Sequence, residues 1–346
     1  MISSIYYNFL GAAPNWYKNT IISFLIVNPI IYILFDAMSL PAGFILGWII
    51  LGEFIFTLAM AIKCYPLQPG GLIALESILM GLTNTGQIYY EVEANLKVIL
   101  LLVFMVAGIY FMKDFLLYIF TKLLINIKNK RLLCLLFVFA AAFLSAFLDA
   151  LTVMAVLIAV AAGFYQVYKS VASKEESFSE NSEEFQTFKG FLRNLLMHGA
   201  VGTALGGVAT TVGEPQNLLI ASVADWSFIE FFLKMLPISF PVFIAGLITC
   251  YVVERFSLFS FGVQLPSHIR QILYDFDKQE SLERTDAQNM KIVTQAIVAL
   301  VLVFSLAFGL AAVGLIGLMI IVLLTAFNGV IEEPKLGKAF EEALPF

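Results

Sequence analysis

The chain has 346 residues, of which 60% are hydrophobic and 13% charged. A water-soluble domain is typically about 45–50% apolar and about 25% charged, so this composition excludes a single soluble core and indicates a polytopic membrane protein. With a net charge of −5, no basic patch and no nucleotide-binding glycine motif, we expect neither nucleic acid nor a cofactor as a partner. The three cysteines lie far apart, without a CxxC or Cys/His motif, so no disulfide or zinc site is expected.

Apolar stretches of membrane-span length follow one another along the whole chain. They lie at 20–36, 40–62, 71–83, 97–120, 132–148, 150–167, 191–223, 228–253, 292–309 and 312–330. The stretch at 71–83 is short for about 30 Å of hydrocarbon, so it is the weakest of these spans. The pattern predicts an all-α polytopic membrane protein.

Positive charge is distributed unevenly between the predicted loops. Polar loops are expected at 84–96, 121–131, 168–190, 254–291 and 331–346. With the N-terminus inside, all but three of the twenty lysines and arginines lie on the inner side. This asymmetry predicts a cytoplasmic N-terminus. We expect the Ser/Glu-rich segment 169–190 to be mobile and residues 263–291 to include a surface helix.

The stretch 132–166 carries a single acidic residue at its midpoint, Asp149. Basic loops flank it on both sides, so the chain enters and leaves on the same side of the membrane. Two full spans or a re-entrant hairpin would both do this. The tip SAFLDALTV has none of the Gly, Pro or Asn residues usual in an exposed turn, which favours a tip buried in protein. The alternative is that Asp149 is a solvated turn residue.

A second apolar stretch is interrupted by GGVATTVGEPQN at 206–217. Gly, Pro and an ionised Glu are unfavourable in a bilayer core unless they serve a purpose, and in secondary transporters broken helices hold ions or substrates. Half-helices are predicted at 191–205 and 215–223, with Pro215 in the first turn and Glu214 at the positive end of the second. The first would end near Gly206 and Gly207 and expose carbonyls to a cation. A structural kink or a short external loop is the alternative.

Other polar residues in the spans have weaker claims to a transport role. Glu53 and Glu76 have no Gly/Pro break beside them, so a structural role is at least as good an interpretation as a transport role. His198 is a lone histidine on an apolar helix face. It could sense pH, but a hydrogen-bonded packing histidine is preferred.

With these residues in hand, the chain resembles the NhaB family of sodium/proton antiporters. The resemblance rests on long segments, which are NFLGAAPNWYK (8–18), FLIVNP (24–29), EFIFTLAMAIKCYPLQPGG (53–71), FMVAGIYFMK (104–113), AAAFLSAFLDALTV (140–153), GTALGGVATTVGEPQN (202–217) and GKAFEEALPF (337–346). It implies the ion transporter superfamily fold, in which a re-entrant hairpin tip and a broken helix form each half of the site. By position, 145–152 is the tip and 206–217 the broken helix.

The resemblance also implies a domain organisation. The first repeat would be 1–253, with scaffold spans at 20–120, the re-entrant hairpin at 132–167, the broken helix at 191–223 and a closing span at 228–253. A cytoplasmic loop follows at 254–291, and 292–346 would begin a second inverted repeat. That last region has no second acidic tip and no second G-x-P-x-N break. We therefore expect a truncated chain in which the second repeat is missing and half of the site is present.

The resulting functional prediction is a secondary antiporter, not an enzyme, that exports Na⁺ in exchange for H⁺ by alternating access. The predicted ion-binding residues are Ser145, Asp149, Thr152, Thr210, Thr211, Glu214 and Asn217, with Gly206, Gly207, Gly213 and Pro215 as unwound or hinge backbone. Li⁺ and membrane lipid are further expected partners, and a homodimer is left open. Dicarboxylate carriers of the superfamily place Asn and Thr at the tip and no acid in the break, so Asp149 and Glu214 favour a cation. A sodium-coupled anion carrier and an inactive fragment remain the alternatives.

Overall fold

A computed structural model describes residues 2–172 and 182–341, and all of its regular elements there are helices. Six of these helices are long and apolar enough to cross a membrane, or seven if the adjoining helices Thr85–Ala94 and Leu96–Tyr110 count as one span. The prediction of an all-α polytopic membrane protein is thereby confirmed. Residues 173–181, within the segment predicted to be mobile, lie outside the described residues, as do residues 342–346.

The described chain forms two compact units, Met1–Ala94 and Asn95–Phe346. The first contains α1 (Ile2–Asn8), α2 (Asn15–Ala37), α3 (Ala42–Ala59), α4 (Leu67–Leu79) and α5 (Thr85–Ala94). The second contains α6 (Leu96–Leu100), a π-helical turn (Leu101–Met105), α7 (Val106–Tyr110), α8 (Lys113–Asn126), α9 (Lys130–Phe147), α10 (Ala150–Ala172), α11 (Glu183–Gly207), α12 (Pro215–Ala224), α13 (Phe228–Arg255), a 3₁₀ turn (Leu258–Ser260), α14 (Ser267–Glu283), α15 (Asp286–Ala307), α16 (Val313–Phe327) and α17 (Glu333–Glu341). Whether these regions are inverted repeats, as the boundaries 1–253, 254–291 and 292–346 suppose, stays a prediction.

In the first unit, α2, α3 and α4 pack against one another. Gly70 on α4 lies against α3, where a methyl group would come within 3.0 Å of the Phe54 ring. Apolar side chains cover the outside of α2 and α3, as expected of lipid-facing helices. The buried polar residues of this unit therefore lie between helices.

In the second unit, α11 lies directly against α9 along a stripe of small residues. A methyl group added to Gly202 would come within 2.5 Å of the Val138 carbonyl oxygen, and one added to Gly206 would overlap the Ala142 carbonyl. Small residues allow this close approach of helix backbones, which is a common way to pack membrane helices. The stripe sets the position of the α11 end relative to the α9 end.

A similar contact joins α16 to the π-helical turn. A Cβ atom on Gly317 would lie 2.8 Å from the Met105 nitrogen, and one on Gly314 would lie 2.5 Å from the Leu100 Cβ atom. The predicted span at 97–120 is consequently not one helix. It is interrupted by the π-helical turn and again between α7 and α8.

The predicted surface helix within 263–291 is observed as α14. Its buried face contributes Ile269, Leu273 and Asp277, while most of its other residues are exposed. Lys122 on α8 donates to both oxygens of Asp277, at 2.9 and 2.6 Å. This ion pair and the apolar face hold α14 on the second unit.

Several predicted boundaries were wrong. The expected loops 84–96 and 331–346 contain α5 and α17, and the start of α11 lies eight residues before 191. Ser182 caps α11 by accepting from the Phe185 nitrogen at 3.3 Å, so a Ser/Glu-rich sequence here starts a helix. The apolar runs at 71–83 and 312–330 give helices of only 13 and 15 residues.

We expect Gly206→Ala to lower the free energy of unfolding by about 1–3 kcal/mol or more, because the added methyl must push the α9 backbone away. Gly163→Ala on α10 is the matched control, since nothing lies within 4 Å of its would-be Cβ atom. Alanine should stabilise that helix position by about 0.5–1 kcal/mol. Thermal unfolding in detergent measures both. Equal midpoints for the two variants would contradict the close α9–α11 contact.

Candidate functional site

Asp149 lies at the turn between α9 and α10. Its Oδ2 atom accepts from the Thr152 backbone nitrogen at 2.9 Å and from the Thr152 hydroxyl at 3.1 Å, so Asp149 caps the start of α10. The residue is only 7% exposed. A solvated turn residue does not fit this burial, and the expectation of a tip buried in protein is confirmed.

The second helix is broken between Gly207 and Pro215, as the sequence predicts. Glu214 has extended backbone angles at the N-cap of α12, and Pro215 occupies the first turn. The Glu214 side chain makes no capping hydrogen bond. It lies over Gly207, where a Cβ atom would be 3.0 Å from Oε1. Its carboxylate is thus placed at the positive end of α12 and is not engaged by that helix.

Asn217 and Thr210 satisfy the backbone of the break. The Asn217 side-chain amide donates to the Gly207 carbonyl at 2.9 Å and to the Thr210 carbonyl at 2.7 Å. The Thr210 hydroxyl donates to the Ala146 carbonyl of α9 and accepts from the Gly213 nitrogen at 3.3 Å. Unwound backbone in apolar surroundings needs such partners.

These bonds engage part of the predicted ligand set. The Gly207 carbonyl accepts one hydrogen bond from the Asn217 side chain at 2.9 Å, and the Gly206 carbonyl accepts one from the Ala209 nitrogen at 3.0 Å. A carbonyl oxygen has two lone pairs, so binding of a cation by these two carbonyls stays a prediction. Thr210 is likewise committed to the α9 end. The last carbonyl groups of a helix have no partner within the helix, so at a buried helix end they accept hydrogen bonds from nearby side chains or backbone N–H groups.

Two predicted oxygen ligands keep free bonding capacity. The Thr211 hydroxyl is buried, in a residue that is 2% exposed, and has no hydrogen-bond partner. Glu214 is half-buried and makes no side-chain hydrogen bond among the described residues. A buried hydroxyl without a partner is unfavourable, so it indicates that something else binds there.

The hairpin tip and the break contact each other directly. The Ala150 nitrogen donates to the Gly213 carbonyl at 3.4 Å, and the Ser145 hydroxyl donates to the Thr203 carbonyl on α11 at 2.8 Å. A methyl group on Gly213 would lie 2.6 Å from the Ser145 carbonyl oxygen. The structure thus brings the residues predicted from two separate motifs into one place.

A second polar cluster, which the sequence did not reveal, surrounds Glu254 near the other end of α9. Its Oε1 atom lies 2.9 Å from His198 Nε2 and accepts from the Cys134 thiol at 3.5 Å. Its Oε2 atom accepts from the Gly262 nitrogen at 3.1 Å and forms an ion pair with Lys130 at 3.0 Å, though at an angle too bent for a hydrogen bond. The cluster joins α9, α11 and α13.

The sequence has no Cys/His motif, but the fold brings one cysteine, one histidine and one glutamate together. Ligand atoms of Cys134, His198 and Glu254 lie within 4.8 Å of one another, a spacing that could hold a metal ion. Both oxygens of Glu254, however, already have partners, and Lys130 balances its charge. Nothing in the cluster therefore calls for an ion. His198 is buried and bonded, as preferred for a packing histidine, and a role for it in pH sensing stays a prediction.

We expect Glu254→Gln to destabilise the chain by about 3–5 kcal/mol, because Lys130 would keep a buried charge without its partner. Glu280→Gln is the control. Glu280 bonds Arg284 at 3.2 Å on an exposed helix face, so its loss should change stability by less than about 0.5 kcal/mol. Thermal unfolding in detergent reports both effects. A Glu254→Gln midpoint within the range of the control would contradict a structural role for the cluster.

Comparison with known proteins identifies the family. The family described as "Bacterial Na+/H+ antiporter B (NhaB)" matches residues 1–346. Proteins named Na(+)/H(+) antiporter NhaB are 58% identical in Saccharophagus degradans, 54% in Shewanella denitrificans and 56% in Vibrio cholerae. The matches cover 100%, 100% and 98% of this chain and 70%, 66% and 65% of those proteins. The chain belongs to the NhaB family of bacterial Na⁺/H⁺ antiporters.

Proposed function

We propose that the chain exchanges Na⁺ for H⁺ at a site formed by the α9–α10 tip and the α11–α12 break, with Asp149 and Glu214 as the groups that carry charge. Membership of an antiporter family supports transport and not an enzymatic reaction. The observation that carries the assignment to this site is the contact of the tip that holds Asp149 with the break that holds Glu214 and an unpartnered, buried threonine hydroxyl. The proposed direction is Na⁺ outward and H⁺ inward.

The oxygen atoms at the site suit a small hard cation. Na⁺ in this position would be held by the carboxylates of Asp149 and Glu214 and by the Thr211 hydroxyl, since hard cations take oxygen ligands. Ser145, Thr152, Thr210 and Asn217 instead tie the two segments together or cap a helix. Their proposed role is to position the carboxylates. Li⁺ presents the same charge and chemistry and is a second expected substrate.

Exchange follows from competition for the same oxygens. Two carboxylates near each other in apolar surroundings are unfavourable when both are ionised and unpaired. A proton or a Na⁺ ion relieves this repulsion, and binding of one disfavours binding of the other. We assign the exchanged proton to Asp149, which is the more buried acid. Alternating access would come from the tip and the break moving together against the other helices.

The proposed arrangement in the membrane is a re-entrant hairpin in the inner membrane with a cytoplasmic N-terminus. It is supported by the burial of Asp149, by the contact of the tip with a broken helix, and by the basic residues that flank α9 and α10. The ten residues of α12 provide about 15 Å of helix after the break. A tip that meets the break therefore ends short of the far membrane surface.

A sodium-coupled anion carrier is the second candidate. A site for a dicarboxylate would need positive or hydrogen-donating groups, whereas the free groups here are two acids and a hydroxyl. The relatives named above extend beyond this chain, which spans 65–70% of their length. The activity of the 346-residue chain itself is therefore part of the proposal.

We expect Asp149→Asn to abolish Na⁺-driven proton movement by the 346-residue chain. In inside-out vesicles with an acid interior, a Na⁺ pulse should collapse the proton gradient, as followed with a pH-sensitive dye. Asp225→Asn is the control, because Asp225 ends α12 with a φ of 54°, a conformation that asparagine also adopts. Exchange that survives in Asp149→Asn would contradict the role of Asp149. Na⁺ uptake that depends on an added dicarboxylate would favour the anion carrier.

We expect Thr211→Val to raise the half-saturating Na⁺ concentration about 5–10-fold, equivalent to about 1–1.4 kcal/mol, by removing one oxygen ligand. The same change should not lower the thermal midpoint without Na⁺, since it removes a buried hydroxyl that has no partner. Transport kinetics and unfolding in Na⁺-free buffer give the two readings. Unchanged Na⁺ dependence would exclude Thr211 as a ligand.

A further inference from the structure

Three polar side chains meet in the first unit, well separated in sequence from the residues of the proposed antiport site. Asn28 on α2, Glu53 on α3 and Glu76 on α4 are 0%, 7% and 8% exposed. The Asn28 amide nitrogen donates to Glu53 Oε2 at 2.8 Å and to Glu76 Oε2 at 2.9 Å. One amide group therefore lies between two buried carboxyl groups.

The two carboxyl groups have no cationic partner among the described residues. Because both oxygens bond the same nitrogen, they lie within about 6 Å of each other, where like charges repel strongly in a low dielectric. The other charged residues of α2, α3 and α4 are Lys18 and Asp36, ten and eight positions from Asn28, or about 15 and 12 Å along the helix. Lys18 is occupied by the carbonyls of Tyr6 and Tyr7, at 3.4 and 3.0 Å. The remaining titratable groups of these helices are the phenols of Tyr17 and Tyr32.

The Asn28 amide oxygen is a second observation that points to a ligand at this position. Asn28 Oδ1 is buried and has no hydrogen-bond partner, although an amide oxygen can accept two bonds. It belongs to the same amide that separates the two carboxyl groups. The Glu254 cluster differs in this respect. There the carboxylate has a cationic partner in Lys130 and hydrogen-bond partners in His198 and a backbone N–H group. In the first unit, acceptors are in excess and positive charge is lacking.

We propose that Asn28, Glu53 and Glu76 form a second cation site, which exchanges one proton for one Na⁺ ion. With both carboxyl groups protonated the site is neutral. When Na⁺ binds, one O–H bond breaks, the proton leaves to water and the carboxylate oxygen takes the ion, so that Na⁺, one carboxylate and one carboxylic acid are again neutral. Carboxyl oxygens and Asn28 Oδ1 are the oxygen ligands that a hard cation uses. This site does not use Asp149 or Glu214 and goes beyond the proposed function.

The test measures Na⁺ binding in a background of the 346-residue chain in which Asp149→Asn and Glu214→Gln have removed the acids of the proposed antiport site. Radioactive Na⁺ and a pH-indicator dye in weakly buffered detergent solution report ions bound and protons released. We expect this background to bind Na⁺ and to release about one proton for each ion. Adding Glu53→Gln and Glu76→Gln together should abolish both signals, because no ionisable group is then left at this site. Glu93→Gln, an exposed acid of the same unit, should leave both unchanged.

A structural role and a binding role give different stability results. Both glutamine changes keep the side-chain shape and remove a buried acid, so the thermal midpoint without Na⁺ should be kept. Na⁺ should raise the midpoint of the background protein but not that of the variant that carries both glutamine changes. Asn28→Ala changes a residue of the same site that lies on a different helix, and we expect it to weaken Na⁺ binding at least tenfold. It serves in place of any glutamine variant that does not fold.

Two outcomes would overturn the proposal. One is that the background protein binds no Na⁺ and releases no proton on its addition. The other is that Ca²⁺ releases protons while Na⁺ does not, which would identify a divalent site instead. Neither depends on whether Asp149 and Glu214 carry antiport, because both acids are absent from the background. Failure of the second site is thus distinguishable from failure of the proposed function.

Discussion

Pairing of the unwound backbone between α11 and α12 is the constraint on which the candidate site depends. Carbonyl and N–H groups released from a helix in apolar surroundings need partners inside the protein. Asn217 supplies two hydrogen bonds to carbonyls of the break, and Thr210 links the break to the end of α9. Because Asn217 and Thr210 form the hydrogen bonds that the backbone of the break needs, the side-chain oxygen atoms of Thr211 and Glu214 are left without hydrogen bonds to the described residues. The break can therefore persist as a structure and still hold a ligand.

Close helix packing converts this local structure into a site with two sides. Glycines on α11 bring its backbone against α9, so the end of α11 and the tip at Asp149 lie together. Near the other end of α9, Glu254 joins the same helix to α11 and α13 through Lys130 and His198. In this second cluster Lys130 balances the charge of Glu254, whereas Asp149 and Glu214 have no cationic partner among the described residues. In the proposed account, the end of the helix assembly at Glu254 stabilises the fold and the end at Asp149 binds the ion.

Local sequence rules predicted the parts of the fold that short segments determine. The turn at Asp149 and the start of α12 at Pro215 follow from single residues whose backbone preferences are strong. Contacts between distant segments could not be predicted in this way. Cys134 and Glu254 are 120 positions apart and meet only after three helices pack. The hydrogen bond from Asn217 to the Gly207 carbonyl likewise depends on how the break folds back on itself. The helix α5 was not predicted, because its polar residues are also typical of a loop.

The central claim is that the tip and the break form one ion site. Hydrogen exchange of the 346-residue chain in detergent, followed by mass spectrometry with and without Na⁺, tests it most directly. If the claim is correct, Na⁺ slows exchange in both 148–152 and 207–214 over the same concentration range, and Asp149→Asn removes the protection from both segments together. Protection of only one segment, or protection at unrelated Na⁺ concentrations, would contradict a single site.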